Sequence, residues 1–91
     1  MQIKKREARS LFNKLGIKPK SKKHHISGYL IFKGQTILKY HFSHGKGDMV
    51  GHVGDIFRQS FLLDEFQFKN LLKCPLSKEG YIEILKEKGR I

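Results

Sequence analysis

The apolar residues near the start of the chain repeat with the period of a helix. Within residues 5–15 they occupy positions i, i+3, i+4 and i+7: Ala8, Leu11, Phe12 and Leu15. This spacing forms one apolar stripe on a helical surface. Gly16 follows the stripe, and glycine is common just past the C-terminus of a helix. The pattern predicts an amphipathic helix that ends near Leu15.

Two segments rich in β-branched and aromatic residues follow a basic connector at residues 18–23. These segments, residues 26–32 and 36–42, are separated by a short turn that contains Gly34. The arrangement predicts a β-hairpin with its turn at residues 33–35. In the second segment, polar side chains alternate with mostly apolar ones, as in a sheet that is covered on one side.

The chain after the hairpin predicts a loop and then helices. Residues 43–54 contain four glycines and few large apolar side chains, which favours a loop. Asp55 is suited to cap a helix over the residues that follow it. Asp64 is suited to cap the next helix, which Pro75 ends.

Ser77 opens a last short helix, although residues 81–85 could instead extend the sheet. The expected fold is therefore α+β, with an antiparallel sheet of two or three strands and helices packed on one face. We expect one domain over residues 1–91. Its core should cover about residues 4–73, with a C-terminal helical extension at residues 75–91.

The charge of the chain is strongly basic and unevenly distributed. Nineteen Lys and Arg against eight Asp and Glu give a net charge of +11. Residues 1–25 hold nine of these bases and one acid, Glu7. An excess of this kind usually matches a polyanionic partner, and the scarcity of acids argues against a merely lysine-rich surface. We expect a nucleic-acid-binding face built mainly from the N-terminal quarter. An anionic membrane fits less well, because the first helix has a modest apolar face and the chain has no Trp.

The remaining composition argues against disulfides, metals and membrane spans. A single cysteine, Cys74, allows neither an internal disulfide nor a cysteine-based zinc site. The five histidines show no metal-ligand spacing, and we expect no cofactor. No apolar run approaches ~18 residues, and no signal-peptide pattern follows the basic start. The sequence predicts a cytoplasmic protein.

The adjacent pair His24-His25 is the main candidate for chemistry, because it directly follows Lys20, Lys22 and Lys23. RNA carries its own nucleophile, the 2′-hydroxyl, so its cleavage needs little more than a base, an acid and positive charge around the phosphate. Histidine can give or take a proton near neutral pH. The alternative interpretation is that both histidines only contact phosphates.

Two further features have both a functional and a structural interpretation. The glycine-rich segment at residues 44–48, which includes Lys46, could hold an anion with its backbone N–H groups or be a plain loop. It lacks the spacing of a Walker motif. Four hairpin aromatics could stack on single-stranded bases, although a core position is more common for such residues: Tyr29, Phe32, Tyr40 and Phe42.

These pieces, taken in order, resemble a HicA-type toxin, the ribonuclease half of a toxin–antitoxin pair. That family has a first helix ending in Gly, a Gly-Ser-x-His motif before a hairpin, and a His-Gly loop. A helix of the form Gly-x-Leu-x-x-Ile-x-Arg-Gln and a Glu-Glu-Phe-like continuation follow. The counterparts here are Leu15-Gly16, Ser21-Lys22-Lys23-His24-His25-Ile26, Phe42-Ser43-His44-Gly45-Lys46, the run from Gly51 to Gln59, and Asp64-Glu65-Phe66.

The resemblance covers about residues 5–70 and implies a fold and an activity. The fold is similar to a double-stranded-RNA-binding domain. The activity is metal-independent endoribonuclease cleavage of mRNA, neutralised by a HicB-type antitoxin. The family's catalytic histidine falls on His25, or on His24 if the register differs by one. The expected nucleic-acid contacts are Lys20, Lys22, Lys23, Lys46 and Arg58. The alternative function is a basic protein that binds RNA or DNA without cleaving it.

The chain departs from the family pattern at three places. Lys22-Lys23 replaces the Gly-Ser before the histidine. The hairpin is about four residues longer than usual. Phe61 stands where a helix-stopping glycine is more common.

Overall fold

The computed structural model describes residues 1–43, 47–73 and 75–91. Within those ranges it is a small α+β domain with four helices and one three-stranded antiparallel sheet of order β1-β2-β3. The elements in chain order are α1 (Lys5–Lys14), β1 (Lys20–Ser21), β2 (His25–Phe32), β3 (Gln35–Ser43), α2 (Gly51–Gln59), α3 (Glu65–Leu72) and α4 (Lys78–Glu87).

The sheet is two successive hairpins, each closed by a two-residue turn. Lys33 and Gly34 join β2 to β3, and both have positive φ (51° and 78°), as a type I′ turn requires. The turn is one residue shorter than expected. A register shift after Leu30 leaves Ile37 as the extra residue of β3. The basic connector also differs from expectation, because Lys20–Ser21 pairs with β2 as a strand.

One face of the sheet is covered by the helices. Ile26 and Leu30 of β2 and Tyr40 and Phe42 of β3 are buried on this face. The Phe12 ring of α1 packs against them, with its centroid 5.6 Å from that of Phe42 and 6.2 Å from that of Tyr40. The helix can approach closely because β2 has a glycine here: a Cβ on Gly28 would lie 2.3 Å from Cγ2 of Ile17 and 3.0 Å from the Phe12 ring.

The C-terminal helix is part of the same core. Residues 81–85 are helical, and Tyr81 and Leu85 are fully buried. The Tyr81 hydroxyl donates to the Phe61 carbonyl at 2.9 Å and lies 2.9 Å from the Tyr40 hydroxyl. Because the single proton of Tyr81 goes to that carbonyl, Tyr40 must donate to Tyr81. The core therefore extends beyond residues 4–73, since α4 covers the sheet rather than extending past it.

Two of the three expected helix caps are confirmed. Asp64 accepts from the backbone N–H of Gln67 at 2.8 Å, and Ser77 accepts from that of Gly80 at 3.1 Å. Both bonds satisfy an N–H group at the start of a helix.

The third expected cap, Asp55, is wrong, because α2 begins four residues earlier, at Gly51. The segment before α2 is fixed by a β-bridge between Ile3 and Met49, which brings the chain start beside this helix. Asp55 then accepts a hydrogen bond from the Met1 amine at 2.9 Å. This bond holds the pKa of the Asp55 carboxyl below its ordinary value.

The turn between α2 and α3 is held by side chains from other elements. The Phe61 carbonyl accepts a hydrogen bond from the Tyr81 hydroxyl. The Leu62 carbonyl accepts from the Lys88 ammonium, and the Leu63 carbonyl accepts from the Arg58 guanidinium. Leu62 takes the left-handed conformation that a glycine usually supplies, with φ of 63°. Phe61 is instead needed in the core, where its ring stacks on Tyr40 with centroids 3.9 Å apart.

Candidate nucleic-acid interface

The face of the sheet opposite the helices carries the candidate site. Along β2, His25, Ser27 and Tyr29 alternate with the buried Ile26, Gly28 and Leu30, so they lie on the uncovered side. We call this side the open face. It is defined by seven residues: Lys20, Lys22, His25, Ser27, Tyr29, Lys39 and His41.

Strand pairing brings the other members of the open face beside β2. His41 lies opposite Ser27, and Lys39 lies opposite Tyr29, both in β3. Directly opposed residues of an antiparallel pair share a face of the sheet. The open face therefore collects residues from β2, the middle strand, and from β3, an edge strand.

The short strand β1 and the residue after it add two lysines on the other side of β2. Lys20 lies opposite Ser27. The backbone N–H of Lys22 donates to the His25 carbonyl at 2.8 Å, which continues the ladder by one residue. Lys23 and His24 are then the two residues at the tip of this hairpin. Of the two residues that replace the family's Gly-Ser, Lys22 therefore lies just before this tip and Lys23 lies in it.

The two histidines of the open face contact each other edge to face. The rings of His25 and His41 have centroids 5.8 Å apart and planes inclined at 88°. Both side chains are exposed. They line a shallow cleft together with Lys22, Ser27 and Lys39. None of the five lining residues is acidic, so the cleft favours an anion.

The surfaces on the two sides of this cleft differ in character. Toward α2, His25 and His41 adjoin a small apolar surface that includes Val53 and Ile56, each about half exposed (54% and 50%). Toward the other end of β2, Tyr29 is 38% exposed, and the Lys39 ammonium lies 5.7 Å from the centre of its ring.

A second depression beyond Tyr29 is also basic. It is lined by the end of α1, the connector, β2 and the start of α4: Leu15, Gly16, Lys18, Lys20, Tyr29, Ile31 and Lys78. Three of these seven residues are lysines, and none is acidic. Lys20 and Tyr29 therefore belong to both the open face and this depression.

The structure brings some of the sequence-predicted site residues together and leaves others apart. Lys20, Lys22 and His25 share the open face. Lys23 and His24 are exposed at the hairpin tip and do not line the cleft. Lys46 lies outside the described residues, as do His44 and Gly45 of the predicted anion-holding segment.

Arg58 has a structural contact instead of a place in the cleft. It is half-buried, and its guanidinium donates to the Leu63 carbonyl at 2.8 Å. The expected phosphate contact of Arg58 stays a prediction, and nothing in the geometry places this side chain beside His25.

Local sequence motifs do not identify three residues of the cleft: Ser27, Lys39 and His41. The signal that could have found them is the hairpin register. Counting back from a turn at residues 33–35 already places His41 opposite Ser27, because the bulge at Ile37 compensates for the shorter turn.

The N-terminal charge is divided between two sides of the molecule. Lys20 and Lys22 lie on the open face, whereas Arg6 and Arg9 are exposed on α1, which packs on the covered face. Lys14 donates to the Leu71 carbonyl at 2.7 Å and so holds α1 to α3. The open face therefore combines residues of the N-terminal quarter with Lys39 and His41 of β3.

Residues 1–43, 47–73 and 75–91 contain no group of three or more His, Cys, Asp or Glu side chains placed to hold a metal ion. In the same part of the chain, every helix is too short or too polar to cross a membrane.

Comparisons with protein-family models, with curated proteins and with solved structures give no match to this chain. The case for a function therefore depends on the geometry of the open face.

Proposed function

We propose that this chain is a HicA-like endoribonuclease that cleaves mRNA by acid–base catalysis on the open face, without a metal ion. The observation that carries the proposal is the pair of imidazoles, His25 and His41, placed 5.8 Å apart in a cleft with two lysines. The pair also extends the expectation from the sequence, which gave His25 a role and His41 none.

The distance between the rings suits a shared phosphodiester. Proton transfer needs a heavy-atom distance of ~2.6–3.2 Å, so one phosphodiester group above the pair is within reach of both rings. One neutral imidazole takes the proton of the 2′-hydroxyl as its oxygen attacks phosphorus. The other, protonated imidazole gives a proton to the 5′-oxygen as the P–O5′ bond breaks. The products are a 2′,3′-cyclic phosphate and a free 5′-hydroxyl.

The lysines supply the electrostatic part of this mechanism. Lys22 and Lys39 line the same cleft, so their ammonium groups are placed to attract the phosphate and to stabilise the charge that develops on its oxygens. Ser27 lies between them on β2, and its hydroxyl can form a hydrogen bond with the backbone of the bound RNA strand.

The element order supports the fold part of the proposal. The sequence α1, β1, β2, β3, α2 with an antiparallel sheet in the order β1-β2-β3 is the order expected of a double-stranded-RNA-binding-domain-like fold. The helices α3 and α4 follow as additions that pack on the same core.

The test is cleavage of a labelled single-stranded RNA in the presence of EDTA. We expect His25→Ala and His41→Ala each to lower the rate by roughly 100-fold or more, the usual contribution of one general acid or base. His24→Ala is the matched control, because it removes an adjacent imidazole that does not line the cleft. A wild-type chain that leaves the RNA intact both with EDTA and with Mg²⁺ refutes the enzyme. Loss of activity in His24→Ala alone refutes the assignment of His25.

The same experiment separates cleavage from binding alone. A wild-type chain that binds RNA or DNA tightly but produces no cyclic phosphate is the non-catalytic alternative. The proposed toxin should also arrest growth when expressed in bacteria, His25→Ala should relieve the arrest, and a HicB-type antitoxin encoded beside it should do the same.

A further inference from the structure

The open face contains one aromatic side chain that neither the core nor the proposed chemistry uses. Tyr29 is 38% exposed at the middle of β2, whereas Tyr40 and Phe42 are buried and Phe32 is half-buried against the core. Its hydroxyl takes no part in the buried tyrosine pair of Tyr40 and Tyr81. The Tyr29 ring therefore lies, partly exposed, on the basic side of the sheet.

We infer that Tyr29 is a stacking site for an unpaired base, so that the substrate of the proposed ribonuclease is single-stranded RNA lying along β2. The inference rests on the proposed function, because the RNA strand is taken to run from the His25–His41 cleft, where it is cut, to Tyr29. Its physical content is a binding site, which exists with or without cleavage.

The surroundings of Tyr29 match what a nucleotide needs. The Lys39 ammonium lies over the Tyr29 ring, 5.7 Å from its centre, so the positive charge of the open face extends to this ring. Lys18, Lys20 and Lys78 line the depression on the other side of Tyr29. An aromatic surface flanked by cations is the usual arrangement of single-strand binding sites.

The distance along the strand separates the stacking site from the cleft. Tyr29 follows His25 by four residues on the same face, which is ~13 Å at ~3.3 Å per residue. A stacked strand rises ~3.4 Å per nucleotide, so about four stacked nucleotides, or fewer extended ones, cover this distance. The base on Tyr29 is thus a few nucleotides from the bond that is cut.

The geometry favours a single strand over a duplex. Stacking on a side chain requires a base that is unpaired and turned outward, whereas duplex RNA is contacted through its minor groove and phosphates without stacking. A duplex therefore gains nothing from the Tyr29 ring. Duplex binding through the lysines alone is the alternative that the experiment must separate.

The test uses the absence of tryptophan from this chain. Tyr29→Trp places the only indole at the proposed stacking site, and Phe66→Trp places the only indole at a 75% exposed position on α3 as the control. The probe is single-stranded 2′-O-methyl RNA of about twelve nucleotides, within the ~4–16 range of single-strand sites. It lacks the 2′-hydroxyl nucleophile and cannot be cleaved. We expect the strand to quench the indole of Tyr29→Trp and leave that of Phe66→Trp unchanged.

A second measurement keeps the test valid if the Trp variant packs differently. Anisotropy of the labelled strand should show roughly 10-fold weaker binding for Tyr29→Leu and a near-normal affinity for Tyr29→Phe, which keeps the ring. The duplex made from the same strand should show less than about 2-fold change between these variants.

Three outcomes overturn the inference: equal strand affinity of Tyr29→Leu and wild type, equal quenching by strand and duplex, or no binding of either nucleic acid. Normal stacking in a chain that never cleaves RNA refutes the proposed function and leaves the stacking site in place. Normal cleavage by Tyr29→Leu with unchanged affinity refutes the stacking site alone.

Discussion

The two faces of the β2–β3 hairpin are built from alternate residues of the same strands, yet they have opposite character. His41 is exposed beside another histidine and two lysines, whereas its neighbour Phe42 is 3% exposed and contacts the rings of Phe12 and Phe57. The covered face has no charged residue. The open face has no large buried side chain. Core residues and residues of the proposed site therefore alternate along the same strands, so single substitutions can separate stability from the proposed function.

The largest expected effect compares adjacent residues on the two faces. Phe42→Ala should lower the free energy of unfolding by about 3–5 kcal/mol, because it removes a buried ring between two helices and leaves a cavity. His41→Ala should change it by less than about 0.5 kcal/mol, as an exposed substitution does. Urea unfolding followed by circular dichroism measures both. A large loss of stability in His41→Ala would mean that the imidazole pair is structural.

A smaller effect is expected where α4 packs on the covered face, because the hydroxyls of Tyr40 and Tyr81 are not equivalent. Tyr81→Phe should cost about 1–3 kcal/mol, because the Phe61 carbonyl and the Tyr40 hydroxyl both lose their partner. Tyr40→Phe should cost only about 0.5–1.5 kcal/mol, since Tyr81 keeps its bond to that carbonyl. Equal costs in urea unfolding would contradict the direction assigned to the hydrogen bonds.

The pH dependence of stability gives an independent check on the same pair. Burial raises the pKa of the hydroxyls of Tyr40 and Tyr81 above the ordinary value of 10.0. The unfolded chain ionises near that value while the folded chain does not, so this stabilisation is complete below about pH 10 and is lost as the pH rises above it. Tyr40→Phe should lose stability less steeply over that range.

The smallest effect is expected in the salt dependence of RNA binding, when two lysines on opposite sides of the sheet are substituted in turn. Lys22→Gln should reduce the slope of log affinity against log salt for single-stranded RNA by about 0.7, the contribution of one phosphate contact. Lys14→Gln should leave the slope unchanged, because its ammonium is already bonded to the Leu71 carbonyl on the helical side. Titrations at several salt concentrations measure the slopes. Equal slopes for Lys22→Gln and wild type would remove Lys22 from the interface.

Local sequence signals predicted the parts of the fold that depend on neighbouring residues. The stripe of α1, the hairpin and the caps at Asp64 and Ser77 need only a few adjacent positions, and all are present. Asp55 failed as a cap because the start of α2 depends on pairing between Ile3 and Met49, which are 46 positions apart in sequence. A local pattern carries no information about such a contact.

The candidate site divides in the same way. Lys20, Lys22 and His25 were predicted because they are close in sequence. His41 joins His25 only through the register of β2 against β3. Arg58 was expected to contact phosphate from the resemblance, which stays a prediction, and its guanidinium donates to the Leu63 carbonyl. Residue type suggested the chemistry, and pairing decided which residues could share it.

The turn between α2 and α3 has a consequence for how the protein is made. Two of its three carbonyl partners, Tyr81 and Lys88, come from the last eleven residues of the chain. During synthesis the N-terminal elements leave the ribosome first. The turn at Leu62, with its left-handed backbone, then lacks these bonds until the final helix emerges. The part of the covered side that Tyr81 contacts, at Tyr40, also stays open until α4 emerges. A nascent chain can therefore carry both histidines and every lysine of the open face before α4 has joined the core.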